Sequence, residues 1–218
     1  IFGTGQGSGS SPGIWLVISS TLFDCHQTKA TGATYESPDR STSITLYMIG
    51  FVDDSSGQIN DFSGDPTLEH LTSLMQEDAQ LWSDLLHSSG GALEMTKCHY
   101  HILHTVFSMA GAPVLGGNPQ EYITLKSGDR TTQHQIPSKS SHTAYKTLGC
   151  WKEPAGNQKM QFKISKASSD ELARLLQISA CSKTDAWTFY YAIYIPSVGY
   201  PFPVCHFTSP PTEQTKQK

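Results

Sequence analysis

Thr45-Leu46-Tyr47-Met48-Ile49-Gly50-Phe51-Val52-Asp53-Asp54-Ser55-Ser56-Gly57 is an apolar, β-forming run that ends in two adjacent carboxylates and a turn-prone Ser-Ser-Gly. The pattern predicts a strand that delivers Asp53 and Asp54 to a hairpin tip. Neighbouring carboxylates repel each other, and a bound cation offsets that cost. Oxygen donors of this kind suit Mg²⁺ or Mn²⁺. An Asp pair in a turn is, on composition alone, more often a solvated tip, so its meaning depends on what stands around it.

The chain has 218 residues, enough to bury a sizeable core as one domain or two modest ones. A hydrophobic fraction of 37% is well above that of a disordered chain. The formal net charge of −4 gives no general attraction to phosphate backbones and counts against a stand-alone nucleic-acid binder. Five cysteines lie at Cys25, Cys98, Cys150, Cys181 and Cys205, an odd number without a CxxC pair. Reduced thiols and an intracellular location, cytoplasm or nucleus, are expected. The longest apolar stretch, Ala186 to Val198, is short and broken by Pro196, so no membrane span is expected. The chain opens inside a motif and not on Met, and is expected to be part of a longer polypeptide.

A glycine-rich opening hands over at Ser11 and Pro12 to an apolar run, Ile14 to Ile18. Ser11 suits an N-cap and Pro12 the first helical position, predicting a helix to about Phe23. Cys25 to Ser43 read as a polar surface excursion. Asp65 and Pro66 repeat the capping logic ahead of Leu68, Leu71, Leu74, Met75, Leu81, Trp82 and Leu85, which fall on one helical stripe ending at Gly90 and Gly91. Short strands are expected around Tyr100 to Phe107 and Glu121 to Leu125, then a helix over roughly Met160 to Ile178. The aromatic run Trp187 to Tyr194 predicts a core helix that stops before Pro196, and Ser209 to Lys218 a disordered tail. No internal repeat is read.

Two motifs carry a resemblance. Gln6-Gly7-Ser8-Gly9-Ser10-Ser11-Pro12 matches a Gln-Gly, three variable residues, Ser-Pro signature at every fixed position. Phe51-Val52-Asp53-Asp54 matches an aromatic, variable, Asp-Asp signature. In this order, with a helix between them, the chain resembles the reverse transcriptases of retrotransposons. Gly91-Ala92-Leu93-Glu94 followed by Lys97 is similar to the segment after that family's palm helix, and Thr147-Leu148-Gly149 looks like the turn of its primer grip.

The resemblance implies an α+β fold, a partial polymerase palm of antiparallel strands packed on helices followed by a mostly helical thumb-like part. Residues 1–151 would be the palm portion, 152–208 the thumb-like or connection region and 209–218 the tail. The activity implied is RNA-directed DNA synthesis, nucleotidyl transfer to a primer 3′-hydroxyl helped by two metal ions, Mg²⁺ or Mn²⁺. RNA template, DNA primer and dNTP would be the partners; no stable protein partner is inferred. Asp53 would ligate metal, with Asp54 beside it. Phe51 and Val52 would lie near the primer end or incoming nucleotide, and Gln6, Gly7, Ser11 and Pro12 on the substrate side. Lys97 would be a proton donor to pyrophosphate, and Leu148 with Gly149 the primer grip. A further upstream aspartate and the fingers are missing, so the isolated chain is expected to be inactive.

Rival readings are weaker. The opening glycines lack both the third glycine of a dinucleotide fingerprint and a Gly-Lys-Ser/Thr ending. Gly9-Ser10-Ser11-Pro12-Gly13 has the Gly-x-Ser-x-Gly spacing of an esterase elbow, but no strand-like run precedes it, so a hydrolase of that type is not expected. Cys98, His99, His101 and His104 are the densest group of metal-capable side chains, but strand alternation would keep them from converging. Lys159, Lys163 and Lys166 stand at helical spacing and read as a solvated helix face before a phosphate contact. The alternative function is a degenerate or repurposed palm that binds nucleic acid or protein without catalysis.

Overall fold

The computed structural model describes residues 11–61, 67–117 and 122–205. Among them the fold is α+β, helices combined with five separate antiparallel strand pairs. Two compact units divide the chain. One comprises residues up to Tyr100 together with the segment ending at Ser138, and the other comprises the stretch from His101 and everything from Lys139 onward.

The first unit begins with α1 (Ser11–Gln27). Pro12 sits in its first turn, where a missing N–H leaves no bond unmade. Its buried face is Ser19, Leu22 and His26, spaced for one side of a helix. Leu16 and Val17 stay exposed, so the apolar run read from the sequence only partly enters the core. The polar excursion turns out to contain β1 (Ala33–Glu36), paired with β2 (Ser43–Leu46). The apolar run ahead of the carboxylates is not one strand. It breaks at Tyr47 and feeds a second hairpin, β3 (Met48–Phe51) with β4 (Asp54–Gly57).

Helix α2 (Leu68–Ser88) is capped by Thr67, whose side chain accepts from the His70 N–H; the expected caps Asp65 and Pro66 lie outside the described residues. Gly90 at φ 86° takes the left-handed conformation that closes the helix. Leu22, Trp82 and Leu86 form the buried core where α1 meets α2, with Trp15, Phe23, Met48, Leu85 and Leu93 packed around it. Of the stripe predicted on α2, Trp82 is buried and Leu85 packs on this core, while Leu68, Leu71, Leu74, Met75 and Leu81 are half-buried.

The hairpin of β7 (Tyr122–Lys126) and β8 (Gln133–Pro137) also belongs to this unit. Side chains of α2 complete its open edge. Gln76 accepts from the Thr124 N–H at 2.9 Å, and Gln80 both accepts from the Lys126 N–H at 2.7 Å and donates to its carbonyl at 3.1 Å. Asn60 brackets Thr34 of β1 in the same two-point manner. Edge strands left unpaired are aggregation templates, and these amides occupy the ladder positions instead.

A repeat escapes a reading by sequence alone. The turns Ser37-Pro-Asp39-Arg40-Ser41-Thr42 and Ser127-Gly-Asp129-Arg130-Thr131-Thr132 have the same hydrogen bonds. In each the first serine donates to the aspartate at 2.5 Å, and the aspartate accepts from the residue two further on. In each the arginine sits at positive φ, 58° and 57°. Six residues are too few to stand out as a period, yet they build one turn twice.

The second unit holds β5 (Thr105–Phe107) paired with β6 (Pro113–Leu115), and β9 (Tyr145–Thr147) paired with β10 (Cys150–Lys152). Helix α3 (Lys159–Ile178) runs unbroken through Ser168 and Ser169. A continuous helical stretch follows as α4 (Lys183–Phe189), a π-helical turn (Tyr190–Tyr194) and α5 (Ile195–Gly199). Pro196 was expected to end this helix and does not. The π turn sends the Ile195 N–H back to the Tyr190 carbonyl, and Pro196 falls in the first turn of α5, where no N–H is required. The expectation of a buried aromatic run also fails, because no residue of α4, the π turn or α5 is buried. The predicted tail from Ser209 lies outside the described residues.

Candidate functional site

The carboxylates stand at the tip of the β3–β4 hairpin. Phe51 pairs with Asp54 across a two-residue turn of Val52 and Asp53. Val52 lies at φ 56°, a conformation that β-branched residues seldom adopt. Two-residue hairpin turns need positive φ because it matches the twist of the flanking strands. Asp53 and Asp54 are both exposed, and among the described residues neither carboxylate has a hydrogen-bond or ion-pair partner.

The tip is anchored from two helices. The Trp15 indole N–H, from α1, donates to the Val52 carbonyl. Trp82 of α2 donates to the Ser55 hydroxyl at 3.0 Å. Phe23 stacks on Trp82 at 5.2 Å and lies directly against Gly50, where a Cβ would collide with its ring. Met48 adds apolar contact at the base of the hairpin. Asp54-Ser55-Ser56-Gly57 has little β propensity, and it is strand because the partner strand and Trp82 hold it there.

The other expected site residues fall on different elements. Gln6 and Gly7 lie outside the described residues. Ser11 and Pro12 form the start of α1. Lys97 closes a turn in which its N–H reaches the Glu94 carbonyl at 2.9 Å. The Thr96 hydroxyl and N–H hold the Glu94 carboxyl below its usual range. Lys97 is exposed, and no ion pair joins it to Asp53 or Asp54. Leu148 and Gly149 form the β9–β10 turn in the second unit, at φ 49° and 83°. There the Tyr200 hydroxyl donates to the Leu148 carbonyl at 2.7 Å, and its ring covers Gly149.

The donors at the tip are of the oxygen type that Mg²⁺ and Mn²⁺ take, but there are two of them. Among the described residues no group of three or more Asp, Glu, His or Cys side chains converges. In the first unit the Cys98 thiol, pushed up by burial, donates to the Glu94 carbonyl and His99 meets the Lys97 carbonyl. In the second, His101 meets the Lys139 carbonyl at 3.0 Å and stacks on Tyr145, while His104 packs against Gly116. Each of these side chains has a local structural contact.

Trp15, Gly50 and Trp82 are the supporting residues that motif reading does not reveal. Trp15 and Trp82 carry ordinary helix-core signals, and only the fold shows that their indole N–H groups reach the hairpin. Comparison with family models, with curated proteins and with solved structures returns no match to this chain. No described helix is long and apolar enough to cross a membrane.

Proposed function

We propose that this chain carries the carboxylate hairpin of a retrotransposon-type RNA-directed DNA polymerase, and that Asp53 and Asp54 are metal ligands there. The observation that supports this reading is that tryptophans from two helices bond to Val52 and Ser55, on either side of two exposed, unpartnered carboxylates. A tip that served only as a solvated turn would have no use for that anchorage. Asp53 and Asp54 concentrate negative charge at a fixed place, which a divalent cation neutralises. Bound there, the ions would activate a primer hydroxyl and stabilise the leaving pyrophosphate. The exposed side chains of Phe51 and Val52 flank the carboxylates and present apolar surface to a primer end or nucleotide. Lys97 as proton donor, and Leu148 with Gly149 as primer grip, belong to the same proposal. With two donors supplied here, a catalytic site needs at least one further carboxylate.

Mn²⁺ titration of the 218-residue chain, read by paramagnetic broadening of amide signals, tests the metal assignment. Broadening centred on residues 51–57 and lost in Asp53→Asn/Asp54→Asn is the expected result. Broadening that is unchanged in that double variant overturns the assignment. In a polypeptide that supplies the third carboxylate, RNA-templated primer extension is expected to require Asp53. Divalent-dependent cleavage without template or primer would assign the hairpin to a hydrolase instead. Nucleic-acid binding without turnover would mark a repurposed palm.

A further inference from the structure

The helix that the sequence assigns to a core is an exposed aromatic face. Trp187 is 51% exposed and Tyr191 63%, and their rings stack on each other at 5.7 Å with planes 19° apart. Tyr190 stacks in turn on Tyr194 at 5.4 Å and meets Trp187 edge-on. The π turn falls at Tyr190–Tyr194, within this run of rings. Trp187, Tyr190 and Tyr191 line a cleft of about 440 Å³ together with Lys183 and Ala186. Lys183 makes no ion pair among the described residues.

The unit that bears this face is opposite in charge to the whole chain. The second unit carries ten Lys and Arg against five Asp and Glu, a net of +5 within a chain whose total is −4. Lys159, Lys163 and Lys166 form an exposed row on α3. Helix α3 is joined to the aromatic helix by the bond between Ser169 and the Tyr194 hydroxyl at 2.8 Å. At 3.6 residues per turn the lysine row stands roughly 60–120° around α3 from Ser169, beside that seam.

We propose that Trp187 and Tyr191, with Lys183, form a binding site for single-stranded nucleic acid, the rings stacking on unpaired bases and the lysines contacting phosphates. Exposed aromatic faces bind unpaired bases with little sequence preference, and a cationic surround selects a polyanion over an uncharged sugar or peptide. Duplex bases are already stacked and offer no face to these rings. Its lining residues all come from the second unit, and its role does not rest on the carboxylate assignment.

Fluorescence anisotropy of labelled (dT)12 with the 218-residue chain at low salt tests the proposal, and circular dichroism confirms that each variant folds. Trp187→Ala and Tyr191→Ala are each expected to weaken binding on the order of tenfold. Trp187→Phe/Tyr191→Phe, which keeps both faces, is expected to stay within about threefold of the parent chain. Lys183→Gln is expected to lower the slope of log affinity against log salt by about 0.7, one phosphate contact. Binding that is absent in the parent chain, or unchanged in the two alanine variants, overturns the proposal. So does concentration-dependent self-association that Trp187→Ala abolishes in a chain that does not bind (dT)12.

Discussion

Trp82 donates its indole N–H to the Ser55 hydroxyl at 3.0 Å while its ring stacks on Phe23, so one side chain ties the strand after the carboxylates to both helices of the first unit. Trp82→Phe keeps most of the apolar ring and loses the hydrogen bond, and is expected to cost about 1 kcal/mol beyond the change in packing. Trp82→Ala empties the core between α1 and α2 and is expected to cost about 3–5 kcal/mol. Urea denaturation measures both. Equal losses in the two variants would show that the indole N–H, and not the ring, dominates.

Gly50 is a place where even a methyl group does not fit. A Cβ there would enter the Phe23 ring, so Gly50→Ala must shift the hairpin or the ring. Overpacking of this kind costs about 1–3 kcal/mol. Phe23→Leu by itself is expected to destabilise the chain, but in the Gly50→Ala background it should recover part of the loss. Additive effects in that double-mutant cycle would mean the two residues are not coupled.

The repeated turn offers a stabilising substitution. Arg40 is held at φ 58°, where an L side chain costs roughly 1–2 kcal/mol and glycine costs nothing. After the extra chain entropy of glycine, Arg40→Gly is expected to gain about 0.5–1 kcal/mol in thermal unfolding. Arg130→Gly should gain less, because Arg130 also pairs with Asp84 at 2.6 Å. A loss of stability in Arg40→Gly would refute the strain argument.

Hydrogen bonds from Ser37 and Ser41 hold the Asp39 carboxyl down at about 2, and those from Ser127 and Thr131 do the same for Asp129, against an ordinary value of 3.8. The folded state therefore favours the ionised form. The resulting stabilisation is full above pH 3.8 and is lost as pH falls from there towards 2. Melting temperature is expected to drop over this window in the parent chain and to drop less in Asp39→Asn/Asp129→Asn. An identical acid profile in that double variant would place the titrating groups elsewhere.

What the sequence discloses here is local. The end of α2 at Gly90 and the apolar stripe along it follow from stop signals and period alone, whereas its cap, Thr67, was not among the residues read as a helix start. The carboxylate hairpin was legible for the same reason, since turn residues follow a β-forming run. The strand break at Tyr47 was not, because β1 pairs with the first half of that run and β4 with the second, and pairing partners leave no periodic trace. The aromatic helix misleads for the opposite reason. Crowded Trp and Tyr are usually core, and only the packing reveals that this helix turns them to solvent.

Val52 and Trp15 separate strain at the tip from its anchorage. The Trp15 indole bonds to the backbone carbonyl of Val52, a contact that any residue at position 52 preserves. Val52→Gly removes the cost of a β-branched side chain at φ 56° and is expected to stabilise the chain by about 1 kcal/mol. Trp15→Phe removes the anchor and is expected to cost about 1 kcal/mol. The measurements are thermal unfolding and amide hydrogen exchange at residues 51–57. Faster exchange at the tip is expected in Trp15→Phe but not in Val52→Gly. The reverse pattern would mean that the Val52 side chain, and not the indole, positions Asp53 and Asp54.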